Sequence, residues 1–247
     1  MKCTCLNFAQ KTESRDKVFC CLEESQFYSY CTEILLLNSF SPDTVFEFGS
    51  GDGSAVVSAM HRTQFAGFVQ GYEINPAACD LARKQINASG LGTRYLIFNA
   101  CFFRNAQGFE KNFLISNPPY LPYSAKNLIL PELSGGTDGT DIIKKLLSLN
   151  FRTVMMLVPG ISNPLSVFAY AGDAGYRVSD FLVTQLPFGY YSSQPEIQQS
   201  IRILKEKNMS FFSDAGYLIA GVLFEKKESD CSRDRQGEIS AIMQSLR

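Results

Sequence analysis

The chain has 247 residues, 45% hydrophobic and 19% charged, with a formal net charge of −1, the make-up of an ordinary folded globular protein. Lys and Arg are scattered or paired, as in Arg83-Lys84 and Lys144-Lys145, which excludes the basic footprint of tight nucleic-acid binding. No apolar run is long enough to span a bilayer, and Met1-Lys2-Cys3-Thr4-Cys5 leads into polar residues, so a cytoplasmic protein without a membrane partner is expected.

In chain order, Phe27, Cys31, Ile34, Leu35 and Phe40 recur at near-helical intervals over residues 22 to 39, and Ser41-Pro42-Asp43 ends the run. Thr44-Val45-Phe46-Glu47-Phe48 reads as a buried strand running into Gly49-Ser50-Gly51-Asp52-Gly53-Ser54, after which Val56, Val57 and Met60 resume helical spacing. Strand, glycine loop and helix in that order let the backbone approach a ligand closely and aim free N–H groups at it. A second strand, Ala66 to Glu73, ends on an acid, and Asn75-Pro76 caps a helix through Ile86 that stops near Gly90. Glu73 lies 22 residues beyond Gly51, the distance at which a carboxylate on the neighbouring strand can accept both ribose hydroxyls of a nucleoside. The third strand, Tyr95 to Phe98, leads to Asn99-Ala100-Cys101, where a polar side chain can face an adenine edge and Phe102 can pack on it.

A fourth strand, Phe113-Leu114-Ile115, carries Ser116-Asn117-Pro118-Pro119-Tyr120 at its carboxyl end, the edge where open α/β sheets bind ligands. Two prolines fix φ and donate no N–H, leaving a rigid turn rich in acceptors. The Asn117 side-chain oxygen and the Pro118 carbonyl can take the two hydrogens of an NH2 group, and the ring of Tyr120 can offer a stacking face. Leu133 to Thr140 is a loop that must fold near this turn; a helix follows from Asp141 to Leu149 and a strand from Val154 to Val158. Beyond Pro159-Gly160 come a helix from Ser162-Asn163-Pro164 to about Gly175, strands at Phe181 to Leu186 and Tyr217 to Phe224, and between these Phe188, Tyr190, Tyr191 and the amphipathic run Glu196 to Lys207. One domain is expected, with 1–43 as a helical lead, 44–225 as the core and 226–247 as a peripheral tail.

The eight cysteines are expected as free thiols. Cys3, Cys5, Cys20 and Cys21 crowd the start, but their spacing is not that of zinc ribbons and no His is near, so no metal is expected. The single histidine, His61, excludes mechanisms needing two, and a nucleophile triad has no supporting motif.

Glu47-x-Gly49-x-Gly51-x-Gly53, Glu73 and Asn117-Pro118-Pro119-Tyr120 on successive strand ends resemble the amino-methylating class I S-adenosylmethionine-dependent methyltransferases. Together with Pro131-Glu132-Leu133-x-Gly135-Gly136-Thr137-Asp138-Gly139, the pattern is similar to the HemK family, which methylates a glutamine side-chain amide in peptide release factors. The resemblance implies an α/β, Rossmann-like sheet of seven mostly parallel strands, helices on both faces and an antiparallel last strand. It implies S-adenosyl-L-methionine as cofactor, contacted by Glu47, Gly49, Ser50, Gly51, Gly53, Glu73, Ile74, Asn99, Ala100 and Asn117, and Asn117, Pro118, Pro119 and Tyr120 as the catalytic turn. The chain departs from the family's pattern in having too few residues before the first strand for a separate helical recognition domain, and only Leu22-Glu23-Glu24-Ser25-Gln26-Phe27 where a Pro-rich acidic motif usually stands. A protein or peptide acceptor is favoured, gripped by the N-terminal helix and the aromatic insert. The alternatives are an adenine N6 methyltransferase acting on DNA or RNA, a small-molecule N-methyltransferase, a nicotinamide-dependent oxidoreductase, against which Ser54 stands where the fingerprint needs its third glycine, and an inactive binding module.

Overall fold

Strands buried on both faces read as continuous apolar runs, and Thr153–Pro159, buried at every position, is the clearest of them. The structure, a computed structural model, describes residues 18–122, 130–227 and 233–246. Its strands are β1 (Thr44–Phe48), β2 (Phe68–Glu73), β3 (Tyr95–Asn99), β4 (Phe113–Ser116), β5 (Thr153–Pro159), β6 (Tyr176–Leu186), β7 (Phe212–Ser213) and β8 (Gly216–Lys226). They form one sheet in the order β3-β2-β1-β4-β5-β8-β6, with β7 paired to β8. Neighbours from β3 to β5 run parallel, and β8 runs antiparallel to both β5 and β6. The Rossmann-like α/β architecture with an antiparallel last strand is therefore present. Seven strands become eight because the two-residue β7 is too short to show a pattern.

The order places β1 and β4 side by side, with Phe48 opposite Ser116 in register. The glycine loop after β1 and the Asn-Pro-Pro-Tyr turn after β4 therefore leave the same edge of the sheet. Helix α1 (Leu22–Cys31) continues through a π-helical stretch, Thr32–Leu37, and a last turn, Asn38–Phe40. It lies tightly on β8: a Cβ at Gly221 would come within 2.2 Å of the Cys31 sulfur. The other helices are α2 (Ser54–Thr63), α3 (Pro76–Ala88), α4 (Phe102–Asn105), α5 (Asp141–Leu147), α6 (Pro164–Asp173), α7 (Pro195–Glu206) and α8 (Gln236–Met243). As the sequence predicts, Asn75 caps α3, its side-chain oxygen accepting from the N–H groups of Ala77 and Ala78.

The tail beyond Lys226 is more than a peripheral extension. In α8, Ile239 and Met243 are fully buried, and the guanidinium of Arg235 just before it pairs with Asp180 of β6. Cys3, Cys5 and Cys231 lie outside the described residues. Among the described residues no helix is long and apolar enough to cross a membrane, and no group of His, Cys, Asp and Glu is arranged to hold a metal.

Candidate functional site

One cleft of about 1060 Å³ opens along the carboxyl edge of the sheet. Its floor is the glycine loop on one side and the Asn-Pro-Pro-Tyr turn on the other. Gly49 and Gly51 both line it with φ of +71° and +55°, in the left-handed region that side chains resist. A Cβ on Gly51 would meet no atom within 4 Å, so this backbone faces open space, and a Cβ on Gly49 would sit 3.9 Å from the Asn117 carbonyl. The two loops are thus immediate neighbours.

Glu73 closes one end of the glycine loop. Its carboxylate accepts from the N–H of Gly51 at 3.0 Å and from that of Asn75 at 2.8 Å. Burial pushes the carboxyl up from its ordinary value, against the pull of those backbone hydrogen bonds. Beside it Ile74 is 61% exposed and lines the cleft, as do Ser50, Ala100 and Phe102. The exposed Ile74 beside the Glu73 carboxylate gives this end of the cleft an apolar wall next to an acceptor. Glu132, from the stretch before the Gly-Gly-Thr-Asp-Gly loop, reaches across to accept from the Asn75 side-chain NH2 at 3.0 Å.

At the other end, the Asn117 side-chain NH2 donates to Glu24 at 2.8 Å, and the Tyr120 hydroxyl donates to the second Glu24 oxygen at 2.6 Å. The Tyr120 and Tyr217 hydroxyls lie 3.3 Å apart. The Asn117 side-chain oxygen is buried and has no hydrogen-bond partner. An orphaned buried acceptor costs about 1 to 3 kcal/mol, which an arriving N–H donor recovers. Burial raises the pKa of Glu24, while its hydrogen bonds from Tyr120 and Asn117 pull the other way.

The Gly-Gly-Thr-Asp-Gly loop stays below the turn and braces it. Gly135 N–H donates to the Leu121 carbonyl, and a Cβ at Gly135 would fall 2.7 Å from the Tyr120 Cα. A Cβ at Gly139 would fall 2.3 Å from the Tyr120 carbonyl oxygen, which accepts from the Ser162 hydroxyl at 2.6 Å. Asp138 ties the loop together, accepting from Thr140 and from Asn163. These hydrogen bonds outweigh its partial burial and hold its carboxyl below the usual value.

Several residues predicted to contact the cofactor sit elsewhere. Glu47 is 1% exposed and does not line the cleft; the Tyr28 hydroxyl at 3.1 Å and the Tyr95 hydroxyl hold it beneath the loop. Burial there pushes its pKa up to about 7. Gly53 also lies off the cleft, where a Cβ would press on Ala82 of α3 at 3.2 Å, so its job is helix packing. Asn99 spends its side-chain NH2 on the carbonyls of Glu73 and Ile74, and Ala100 and Cys101 line the cleft instead. Tyr120 is only 7% exposed, so its ring forms part of the wall where an open stacking platform was expected.

The aromatic insert splits in two. Tyr191 stacks on Phe19 and its hydroxyl accepts from the Cys20 N–H, tying the insert to the entry of α1, while Tyr190 is exposed at the cleft wall. Cys20 and Cys21 also line the cleft; burial pushes the Cys21 thiol up to about 12, away from thiolate reactivity. Sequence reasoning named Glu24 only within Leu22 to Phe27, where the family's Pro-rich acidic motif usually stands, and gave it no role; it lies in the first turn of α1.

The fold and the placing of these loops define a Rossmann-like α/β architecture with a cleft at the carboxyl edge of its parallel strands. Among solved structures, the chain resembles a protein from Pyrococcus horikoshii named as a candidate RNA methyltransferase (TM-score 0.55, 12% identity, 85% of this chain and 87% of the other). It likewise resembles the ribosomal protein L11 methylase of Lactobacillus delbrueckii subsp. bulgaricus (TM-score 0.52, 13% identity, 85% and 82% of the two chains). At such identities the likeness concerns the fold alone. By sequence the chain is similar to the release factor glutamine methyltransferases of Moorella thermoacetica, 30% identical over 145 residues (56% of this chain, 49% of the relative), and Geobacter sulfurreducens, 29% identical over 129 residues (49% and 42%). The chain thus spans about half the length of these curated relatives or less. No family model matches it.

Proposed function

We propose that this chain is an S-adenosylmethionine-dependent N-methyltransferase acting on a planar NH2 group, with a protein glutamine side-chain amide as acceptor. The observation that carries the reading is the unpartnered, buried side-chain oxygen of Asn117 beside the glycine loop. It asks for a donor, and an NH2 group is one.

The lining suits such a cofactor. Gly49 and Gly51 give the methionine part close approach, the Glu73 carboxylate has lone pairs for the ribose hydroxyls, and Ile74 and Ala100 form an adenine slot. Among the described lining residues are the carboxylates of Glu23, Glu24, Asp52, Glu73 and Glu132 and no Lys, Arg or His. That field favours a cationic ligand and disfavours a polyphosphate. When bound, S-adenosylmethionine supplies an electrophilic methyl on a positively charged sulfur.

The residues must then make an amide nitrogen nucleophilic. Its lone pair is delocalised, and accepting both N–H hydrogens, at Asn117 and at the Pro118 carbonyl, favours pyramidal nitrogen and aims the lone pair at the methyl carbon. On taking a methyl group the nitrogen would gain positive charge, which these two acceptors stand ready to stabilise. The methylated nitrogen finally releases one proton to solvent. Orientation of this kind supplies about 7 kcal/mol or more of barrier lowering, so a strong base is not required.

The glutamine acceptor is supported by the names of the sequence relatives and by the acidic lining, which suits a peptide better than a phosphate backbone. The experiment is incubation of the purified chain with S-adenosylmethionine labelled in its methyl group and a lysate separated into protein, RNA, DNA and small-molecule fractions. Label is expected in protein. Label chiefly in RNA or DNA, falling steeply between low and physiological salt, would replace this acceptor with adenine.

A further inference from the structure

An asparagine side chain carries an acceptor and a donor that exchange places on a half-turn of the amide, so Asn117 alone cannot tell an NH2 group from the carboxylate of the same shape. Glu24 removes that freedom. It is 3% exposed, one of its oxygens takes the Asn117 NH2 at 2.8 Å, and the other takes the Tyr120 hydroxyl at 2.6 Å. A carboxylate oxygen has no hydrogen to give, so turning the amide over would press the Asn117 oxygen against it.

We infer that Glu24 is the specificity-determining positioning residue of the site: by holding the Asn117 NH2 it fixes the side-chain oxygen as the face presented to the acceptor, so that the site takes NH2 groups and rejects carboxylates and carbonyls. This rests on the reading of Asn117 as the acceptor of the substrate NH2. The lock is stiff because α1, which carries Glu24, is pinned at two further residues. Tyr28 donates to the buried Glu47, and the Ser29 hydroxyl to the Ala55 carbonyl at 2.6 Å. Tyr217, buried on β8, stands behind Tyr120. Protonation of Glu24 on the oxygen facing Tyr120 would leave the other oxygen still accepting from Asn117, with Tyr120 turning its hydrogen to Tyr217. Discrimination of this type, built on a group that must donate, reaches several decades in well-formed sites.

The test measures binding, not turnover. The parent, Glu24→Leu and Glu24→Gln are saturated with S-adenosylhomocysteine and titrated with a short peptide carrying a central glutamine and with its glutamate counterpart. Adenosine and inosine, an NH2 and a carbonyl pair, are run alongside. The parent should prefer the NH2 member by at least about 100-fold. In Glu24→Leu, which keeps bulk but offers no acceptor, that preference should collapse to within about 3-fold while S-adenosylhomocysteine affinity stays within about 3-fold. Glu24→Gln still has an oxygen for Asn117 and should restore most of the preference. A merely structural role would weaken both members of a pair together and leave their ratio unchanged; a Glu24→Leu protein with the parent's ratio overturns the inference.

Should Glu24→Leu fail to fold, the parent alone still decides. With selective 15N-asparagine labelling, the side-chain NH2 signal that disappears in Asn117→Ala should be protected from solvent exchange; rapid exchange overturns the lock. A parent that shows the protected signal but no preference within either pair counts against the acceptor reading itself. A parental preference left intact by Glu24→Leu counts against Glu24 alone.

Discussion

Replacing Glu73 by alanine removes an acceptor that the structure already uses twice. The N–H groups of Gly51 and Asn75 lose their carboxylate partner at 3.0 and 2.8 Å. A hydrogen bond to a charged group contributes about 1.5 to 3 kcal/mol. The cost Glu73 bears from burial, seen in its raised pKa, offsets part of two such bonds, so the net loss of stability should be about 2 kcal/mol. For a chain of 247 residues that corresponds to a fall in Tm of about 4 to 8 °C. On the proposed reading the ribose hydroxyls of the cofactor lose their acceptor at the same stroke, for about 1.5 to 3 kcal/mol, or one to two decades in Kd. Thermal unfolding without ligand and calorimetric titration with S-adenosylmethionine separate the two effects. A Glu73→Ala protein that melts early yet binds within about 2-fold of the parent would show that the carboxylate only braces the loop, and the ribose assignment would fall.

Asn117→Ala should bind S-adenosylmethionine within a few fold of the parent and lose at least about 100-fold in methyl transfer, because the lost acceptor matters chiefly in the transition state; single-turnover rates with any acceptor settle it. Glu47 governs a pH effect. Its folded pKa of about 7 lies above the ordinary value of 4.5, so its contribution to stability is complete below about pH 4.5 and is lost as pH rises through about 7, a change of about 3 kcal/mol. The parent's Tm should therefore fall from pH 5 to 8, and Glu47→Gln should flatten that part of the profile. Gly139→Ala forces a side chain into φ of +79° and within 2.3 Å of the Tyr120 carbonyl oxygen; a loss of about 2 to 4 kcal/mol is expected by denaturant titration, with methyl transfer falling more than cofactor affinity. Methylation of a protein acceptor should change less than about 3-fold between low and physiological salt.

What the sequence made legible was what depends on near neighbours. Each parallel strand announced itself as an apolar run ending in a polar signal, and Asn75 with Pro76 marked the start of α3 because cap chemistry is local. Glu24 was hidden because its partner Asn117 is 93 positions away, and Leu22 to Phe27 shows no pattern to distinguish one acid from the next. For Asn99 the place at a strand end was legible, but not that its NH2 donates to the carbonyls of Glu73 and Ile74 at the end of the neighbouring strand. The Gly-Gly-Thr-Asp-Gly loop was placed near the turn correctly. Its part as a brace under Tyr120 follows only from the missing Cβ atoms at Gly135 and Gly139. In the tail a signal did exist, since Ile239 and Met243 stand four apart, one turn of a helix face.

That Asn117 presents an acceptor to a glutamine NH2 is tested by mass spectrometry of the protein fraction after reaction with S-adenosylmethionine carrying a deuterated methyl group, comparing the parent with Asn117→Ala. A labelled methyl on the side-chain nitrogen of glutamine is expected in the parent sample, and at most about one hundredth of it with Asn117→Ala. Label on adenine, on another protein atom, or at equal level with the two enzymes would contradict it.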